Sequence, residues 1–426
     1  ASDVYKRQIM PENFHIDMPE AVRNIIHTIE EHGFKAYAVG GCIRDSILGR
    51  NPDDWDITTS AVPSQIKTFF KRTVDTGIAH GTVTIMIDKT GYEVTTYRID
   101  GEYEDGRHPK SVEFSDRLVD DLCRRDFTIN AMAYNDTDGF VDEFKGLDDL
   151  DTKIIRCVGE PELRFTEDAL RMMRAIRFSA QLGFTIDEAT WNAIKKLSPS
   201  ISKISMERVH VELGKTLMSA HPDYVAQYSE AGLFAPILPV IDNALKSRYK
   251  RKILATLQHT PDNIYLRYAA LFITSTPDEA AKTLRALKLD NKTVNTVSKL
   301  VELSKMDIEE TEPAVRTALN KYGRDFLPLW HELMMAVIQA SEDITGISNP
   351  AKVKHLLTLK RLGTDILARG DCFTIKDLDI SGNDLIEYGL QGHEIGETLK
   401  SLLDIVIENP KLNDKATLIA MIEHIK

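Results

Sequence analysis

AYAVGGCIRDSILGRNPDDWDITTS, residues 36–60, decides the fold of the first third of the chain. A short apolar run, AYAVGG at 36–41, meets two glycines and then a segment of helical character. A second run, WDITTS at 55–60, is rich in β-branched residues. The stretch therefore reads as strand, glycine turn, helix, loop and strand. Within it Asp54 and Asp56 stand two apart, and a strand with a period of two points both side chains to one face, where they can share a site. Two adjacent hard oxygen ligands suit Mg2+, which takes a few carboxylates together with substrate phosphates, and a two-metal clamp on attacking and leaving oxygens follows. Taken alone, Asp53, Asp54 and Asp56 read first as a solvated turn after Pro52. The surroundings change that reading. Gly40 and Gly41 lie between a strand and a helix, where bare backbone can approach a phosphate and helix N–H groups face it. Arg44, one turn on, offers a charge-assisted donor to a triphosphate, whereas Asp45 could equally be the structural partner of a nearby arginine. A Gly-Gly pair by itself is only a turn.

Outward from this stretch, TVTIMID at 82–88 and YEVTTYRI at 92–99 add two more strands. From about Lys153 the alternation gives way to amphipathic stretches such as EDALRMMRAIRFSAQLGF and MERVHVELGKTLM. The expected class is α+β, an N-terminal head with a mixed β-sheet and helices followed by an all-α remainder. Turn residues mark breaks near Gly159-Glu160-Pro161, Ser198-Pro199-Ser200 and Ser348-Asn349-Pro350. We divide the chain into an uninterpreted tail at 1–9, a catalytic head at 10–152, a helical neck at 153–208, a body at 209–290 and a C-terminal tail at 291–426.

The 426 residues carry a formal charge of −12, from 53 basic and 65 acidic side chains, so any nucleic-acid contact must be local and not a general polyanion coat. Cys42, Cys123, Cys157 and Cys372 form no Cys-x-x-Cys pair, which suggests neither a zinc knuckle nor a disulfide framework and fits a reducing cytoplasm. The opening ASDVYKRQIM has no apolar core of signal-peptide length, and prolines interrupt the most apolar later stretch, 233–241. No membrane span is expected.

The segment GGCIRDSILGRNPDDWDITTS resembles the signature of the nucleotidyltransferase superfamily, specifically class II tRNA nucleotidyltransferases and bacterial poly(A) polymerases. The likeness continues through RIDGEYEDGRHPKSVEF at 98–114, RRDFTINAMA at 124–133, EDALRMMRAIRF at 167–178 and MERVHVEL at 206–213. ISGNDLIEYGLQGHEIGETL at 380–399 is similar, less specifically, to the tail of bacterial CCA-adding enzymes.

This resemblance gives the remaining polar residues expected roles. Asp168 and Arg171, three apart on an expected helix, stand on neighbouring positions of one face. An acceptor beside a fork of donors matches the amino group and ring nitrogen that cytosine and adenine present, and mismatches guanine and uracil. In the resembling family this pair serves as an amino-acid template; out of context it is an ordinary helical ion pair. Arg174 and Arg177 continue the three-residue spacing, but each step drifts about 60° around the helix, so Arg177 leaves the face of Asp168 and phosphate contact is the expected work of both. By resemblance Arg125 and Asp126 recognise ribose hydroxyls, with Asn130 a weaker candidate; alternatively, Asp126 caps a helix carrying Phe127, Ile129 and Met132. Glu93, on a strand with Thr95 and Tyr97, offers a third carboxylate or a base for the RNA 3′ hydroxyl, or is simply a solvated face. The polar composition of the loop 98–114 reads as a mobile segment; by resemblance it acts as the lever between C and A preference, and otherwise it is a plain hairpin loop. CC-adding enzymes resemble this family with that loop shortened, so its full length here implies, by resemblance, complete CCA addition.

LKSRYKRK at 245–252 and AKVKHLLTLKRLG at 351–363 are basic and fit the grip on tRNA, although such runs are also common solvated helix faces. The expected partners are tRNA, CTP and ATP, with Mg2+ as cofactor and neither DNA nor a membrane. The alternatives are A-only addition, poly(A) synthesis, or a nonenzymatic RNA-binding protein with a degenerate head. No histidine is followed by aspartate, which speaks against a His-Asp phosphohydrolase.

Overall fold

The computed structural model describes residues 15–101 and 111–425. The chain divides into two compact units at Ile237 and Leu238. In the first, a seven-stranded sheet is built from β1 (Ala36–Val39), β2 (Ile57–Thr59), β3 (Thr73–Gly77), β4 (Thr82–Ile87), β5 (Thr90–Thr96), β8 (Ala133–Asn135) and β9 (Gly139–Val141), in the order β3-β4-β5-β2-β1-β8-β9. The pairing is antiparallel except between β2 and β5, so the sheet is mixed as expected. A separate two-stranded ribbon joins β6 (Arg98–Asp100) to β7 (Val112–Phe114). The centre of the expected lever loop, 102–110, lies outside the described residues.

Strand β1 is buried along its whole length, which explains its unbroken apolar run. One face is covered by α1 (Glu20–Glu31), whose Val22, Ile25, Ile26 and Ile29 repeat at helical spacing and are buried against β1 and β2. Four short helices decorate the sheet: α2 (Gly41–Ile47), α3 (Pro63–Phe69), α4 (Leu118–Cys123) and α5 (Gly146–Asp151). After them come α6 (Pro161–Glu167), α7 (Leu170–Leu182), α8 (Glu188–Leu197) and α9 (Met206–Leu217), with α7 packed on α9. The region beyond Lys153 is not wholly helical, since Ile154–Ile155 pairs in parallel with Thr185–Ile186.

All three expected breaks fall between elements. Pro161 opens α6, a 3₁₀ turn spans Ser198–Lys203, and Pro350 opens a helix whose start is capped by Asn349. The second unit is helical throughout its described residues, from Pro239–Lys246 to Lys415–Ile425. Buried Arg316 ties its final part together: Nε donates to the Ile407 carbonyl at 2.7 Å and Nη1 to Asp371 at 2.9 Å. No helix among the described residues is long and apolar enough to cross a membrane.

Candidate active site

Asp54 and Asp56 lie in extended backbone immediately before β2 and not within it. The expected alternation nevertheless holds: both are exposed while Trp55 between them is buried. The Val39 N–H donates to the Asp56 carbonyl at 3.0 Å, so main-chain pairing with β1 continues one residue past the strand and fixes Asp56. Since Ile57 sits opposite Val94 in the parallel β2–β5 pair, Asp56 comes to rest beside Glu93. Desolvation by the surrounding protein raises the Asp56 pKa even though the side chain reaches solvent; Arg125 opposes the rise and Asp54 adds to it. Glu93 is raised by the same desolvation and by the charges of Asp56 and Asp54. Three carboxylates that repel one another around one spot are the electrostatic setting a cation relieves. Among the described residues no group of three His, Cys, Asp or Glu side chains is arranged to hold a metal by itself. The donor set therefore fits a hard divalent ion that takes two carboxylates here and its other oxygens from elsewhere.

Gly40 serves a purpose the sequence did not disclose. Its φ of 86° and ψ of −129° are open to glycine and costly for other residues. A Cβ placed there would lie 2.9 Å from Arg125 Nη1, so bare backbone makes room for that guanidinium. Gly41 is under no such constraint, its added Cβ meeting Arg44 at an ordinary 3.6 Å. Gly40→Ala is expected to displace Arg125, lower transfer at least about tenfold and cost about 1–3 kcal/mol of stability. Thermal melting and a single-turnover rate check this, and wild-type values in both would refute it.

Arg125 is held by Asp121, which is fully buried and was not singled out from the sequence. Asp121 accepts from Arg125 Nη2 at 3.1 Å, from Arg124 at 2.6 and 3.0 Å, and from the Thr58 hydroxyl of β2 at 3.1 Å. Burial would raise its pKa, but the two arginines outweigh burial and hold it below the usual carboxylate range. The readable signal was an acid on α4 three and four residues before two arginines that follow the helix. Arg125 Nε is buried and has no hydrogen-bond partner among the described residues.

Asp126, Asn130, Arg44 and Arg174 form one network. Asn130 accepts from Arg44 at 2.6 Å and donates to Asp126 at 3.1 Å. Arg174 grips the other Asp126 oxygen at 2.7 and 2.6 Å. Burial would raise the Asp126 pKa, yet Arg174, Asn130 and Arg171 together drive it far down. Asp126 also accepts from the N–H of Phe127 at 2.9 Å, but Thr128–Asn130 is a single 3₁₀ turn, so it caps no helix of the length envisaged. Asp45 proves to be the partner of Arg44, at 2.8 and 2.9 Å.

The Phe178 ring gathers three of these cations, with Arg177, Arg44 and Arg174 at 3.7, 5.0 and 5.3 Å from its centre. Arg177 departs from the expectation of an exposed phosphate donor. It is buried, and binds Glu212 at 2.5 Å and Gln181 at 2.7 Å, because the backward drift of its position turns it toward α9 and not outward.

Asp168 and Arg171 do not share one helix as expected. Asp168 is extended, with φ −143° and ψ 105°, in the break between α6 and α7. Its Oδ1 accepts the Leu170 N–H at 3.0 Å, a local bond that competes with helical continuation. The two side chains are also anchored separately. Asp168 is forked by Arg208 of α9, while Arg171 donates to Glu167 at 2.5 Å and to the carbonyls of Arg164 and Arg124 at 3.2 and 3.1 Å. Through the Arg124 carbonyl the break is docked beside the Arg125–Asp126 segment, and the charge of Arg125 in turn acts on Asp56. Glu167 and Arg208 lay inside quoted motifs but received no role.

In the second unit, the two basic runs meet. Lys252 from the first and Lys352 and His355 from the second line one cavity of about 760 Å³ together with Trp330, Asp307 and Glu342.

The chain is similar to known proteins along most of its length. Residues 36–156 match the poly A polymerase head domain, 183–245 a model described as the probable RNA and SrmB-binding site of polymerase A, and 265–422 a tRNA nucleotidyltransferase domain 2. The chain is 34% identical over 418 residues to the CCA-adding enzyme of Pediococcus pentosaceus, covering 96% of this chain and 98% of that one. It is 36% identical over 421 residues to that of Limosilactobacillus fermentum, covering 97% and 98%. Among solved structures, the Bacillus stearothermophilus CCA-adding enzyme in complex with CTP superposes with a TM-score of 0.74 at 32% identity, over 95% of this chain and 96% of that one.

Proposed function

The chain belongs to the CCA-adding enzymes, tRNA nucleotidyltransferases that require a divalent metal, and on that premise we propose that it adds C, C and A in turn to the 3′ end of tRNA from CTP and ATP. The 3′ hydroxyl attacks the α-phosphate and pyrophosphate leaves. Asp54 and Asp56 hold the metal, and the hardness of their oxygens favours Mg2+. When bound, the ion neutralises charge on the triphosphate and on the departing pyrophosphate. Glu93, with its raised pKa and its place beside Asp56, is suited to take the proton of the attacking hydroxyl. Arg125, with Nε unpartnered, and Arg174, partly open to solvent, face the nucleotide from the other side; Gly40, Gly41 and Arg44 form the wall beneath it. Asp121 fixes Arg125, Asp126 fixes Arg174 and Asn130 fixes Arg44.

Asp168 and Arg171 read the pairing edge of the base. The neck at 153–208 carries them, and the helical body and tail hold the tRNA, with Lys252 and Lys352 among the phosphate contacts. Four free cysteines support residence in the reducing cytoplasm. The observation that carries this reading is the register that sets Asp56 beside Glu93 while Arg171 reaches the Arg124 carbonyl, because it joins acids and base readers in one unit.

The test is incorporation of labelled CTP and ATP on three primers: tRNA without its CCA end, tRNA lacking only the final A, and poly(A). Two cytidines then one adenosine on the first primer are expected, with little extension of poly(A). Labelling confined to ATP on the second primer would make the chain an A-adding enzyme, and long tails on the third a poly(A) polymerase.

A further inference from the structure

We propose that Arg208 is a positioning residue for base choice, one that fixes the plane of the Asp168 carboxylate from α9. The inference rests on Asp168 being a base reader and names what makes it selective. Arg208 Nη1 donates to Asp168 Oδ1 at 3.2 Å and Nη2 to Oδ2 at 2.7 Å, a two-point fork that sets both position and tilt. Oδ1 also accepts the Leu170 N–H at 3.0 Å. Each carboxylate oxygen accepts about two hydrogen bonds, so Oδ1 is filled and Oδ2 keeps one open direction. The reader therefore presents a single acceptor on a fixed line.

That restriction matters because acceptance alone does not discriminate. Guanine and uracil also carry N–H donors on their pairing edges, and a carboxylate free to rotate about its side-chain bonds could follow them. A carboxylate held by a fork accepts only where cytosine and adenine place their amino group relative to Arg171. Arg171 is held independently by Glu167, which also binds Arg164 at 2.5 Å, so the spacing between acceptor and donors is set from two sides.

The experiment compares Arg208→Met, Arg208→Lys, Asp168→Ala and the double variant Asp168→Ala/Arg208→Met in full-length protein. Kinetic constants are measured for CTP, GTP and UTP on tRNA lacking its CCA end and for ATP, GTP and UTP on tRNA lacking only the final A, with melting temperature alongside. For Arg208→Met, discrimination of CTP and ATP against GTP and UTP is expected to fall by about tenfold or more, the usual scale for losing a hydrogen-bonded charge. The loss should appear in KM for the correct nucleotides, and Arg208→Lys, which keeps the charge without the fork, should recover part of it. Adding Arg208→Met to Asp168→Ala should change discrimination no further. A merely structural role would slow all four nucleotides in proportion and leave their ratio alone; that result in both Arg208 variants, with the ratio lowered by Asp168→Ala, would overturn the proposal while sparing Asp168. An unchanged ratio in Asp168→Ala would instead remove the base-reader assignment on which it stands.

Discussion

Asp56→Ala is expected to reduce nucleotidyl transfer by at least about a thousandfold while leaving tRNA affinity within about twofold, the pattern of a group that acts on the reacting phosphates and not on the RNA body. The size follows from what is removed. Asp56 is one of two acids sharing a face before β2, fixed by the Val39 N–H through its own carbonyl, and its side chain has Glu93 beside it in the parallel register. Alanine keeps the main-chain bond and deletes half of the proposed protein ligands. Stability should not fall, because Asp56 is itself costly to charge where it lies and adds to the cost of charging Glu93, and one fewer acid relieves that repulsion. A single-turnover assay with saturating CTP, a filter-binding titration of tRNA and a melting curve separate these effects. Transfer within tenfold of wild type would withdraw Asp56 from the metal site; loss of transfer accompanied by loss of folding would leave its chemistry unsupported and shift the assignment to Asp54 and Glu93.

What could be read from the residues, and what could not, divides along distance in the chain. The glycine pair, the Asp-x-Asp and the mixed strands are local patterns of period two, and the sheet they specify was found. The three-residue strands β8 and β9 are too short to show a period, and β3 is mostly polar at the sheet edge, so neither gave a signal. The helix assumed for Asp168 failed for a local reason with a known cause: an aspartate whose side chain bonds the N–H two residues on ends one helix and starts another. Most of what joins one part of the candidate site to another is long-range. Thr58 meets Asp121 across 63 residues, Arg44 meets Asn130 across 86, Arg174 meets Asp126 across 48 and Arg208 meets Asp168 across 40. Spacing carries no information about such pairs. Gly40 illustrates the difference: the turn was visible, but the reason for glycine is a guanidinium from residue 125.

Asp168→Asn should do more than weaken base choice; it should turn the choice around in part. Asp168 Oδ1 receives the Leu170 N–H and one Arg208 donor, whereas Oδ2 receives one donor and has one direction open. An amide placed there keeps its oxygen toward the two donors on Oδ1, gives up the bond from Arg208 Nη2, and turns its NH2 group to the open position. A donor then replaces the acceptor that faces the base. Cytosine and adenine, which present an amino group at that point, meet donor against donor, and burying such a mismatch is costly. Guanine and uracil present a carbonyl there and gain a bond, although their ring N–H still opposes Arg171, so they improve without becoming good substrates. The expected outcome is a fall in kcat/KM for CTP and ATP of about 10² to 10³, with discrimination against GTP and UTP reduced by about 10²; sites that recognise a base edge by hydrogen bonds reject mismatches on that scale. Asp168→Ala supplies the comparison, since it removes the acceptor without adding a donor and should lower CTP and ATP use without helping GTP or UTP as much. Competition among all four nucleotides on tRNA lacking its CCA end measures both variants. If asparagine and alanine gave the same ranking of nucleotides, the orientation imposed by Leu170 and Arg208 would play no part in base choice.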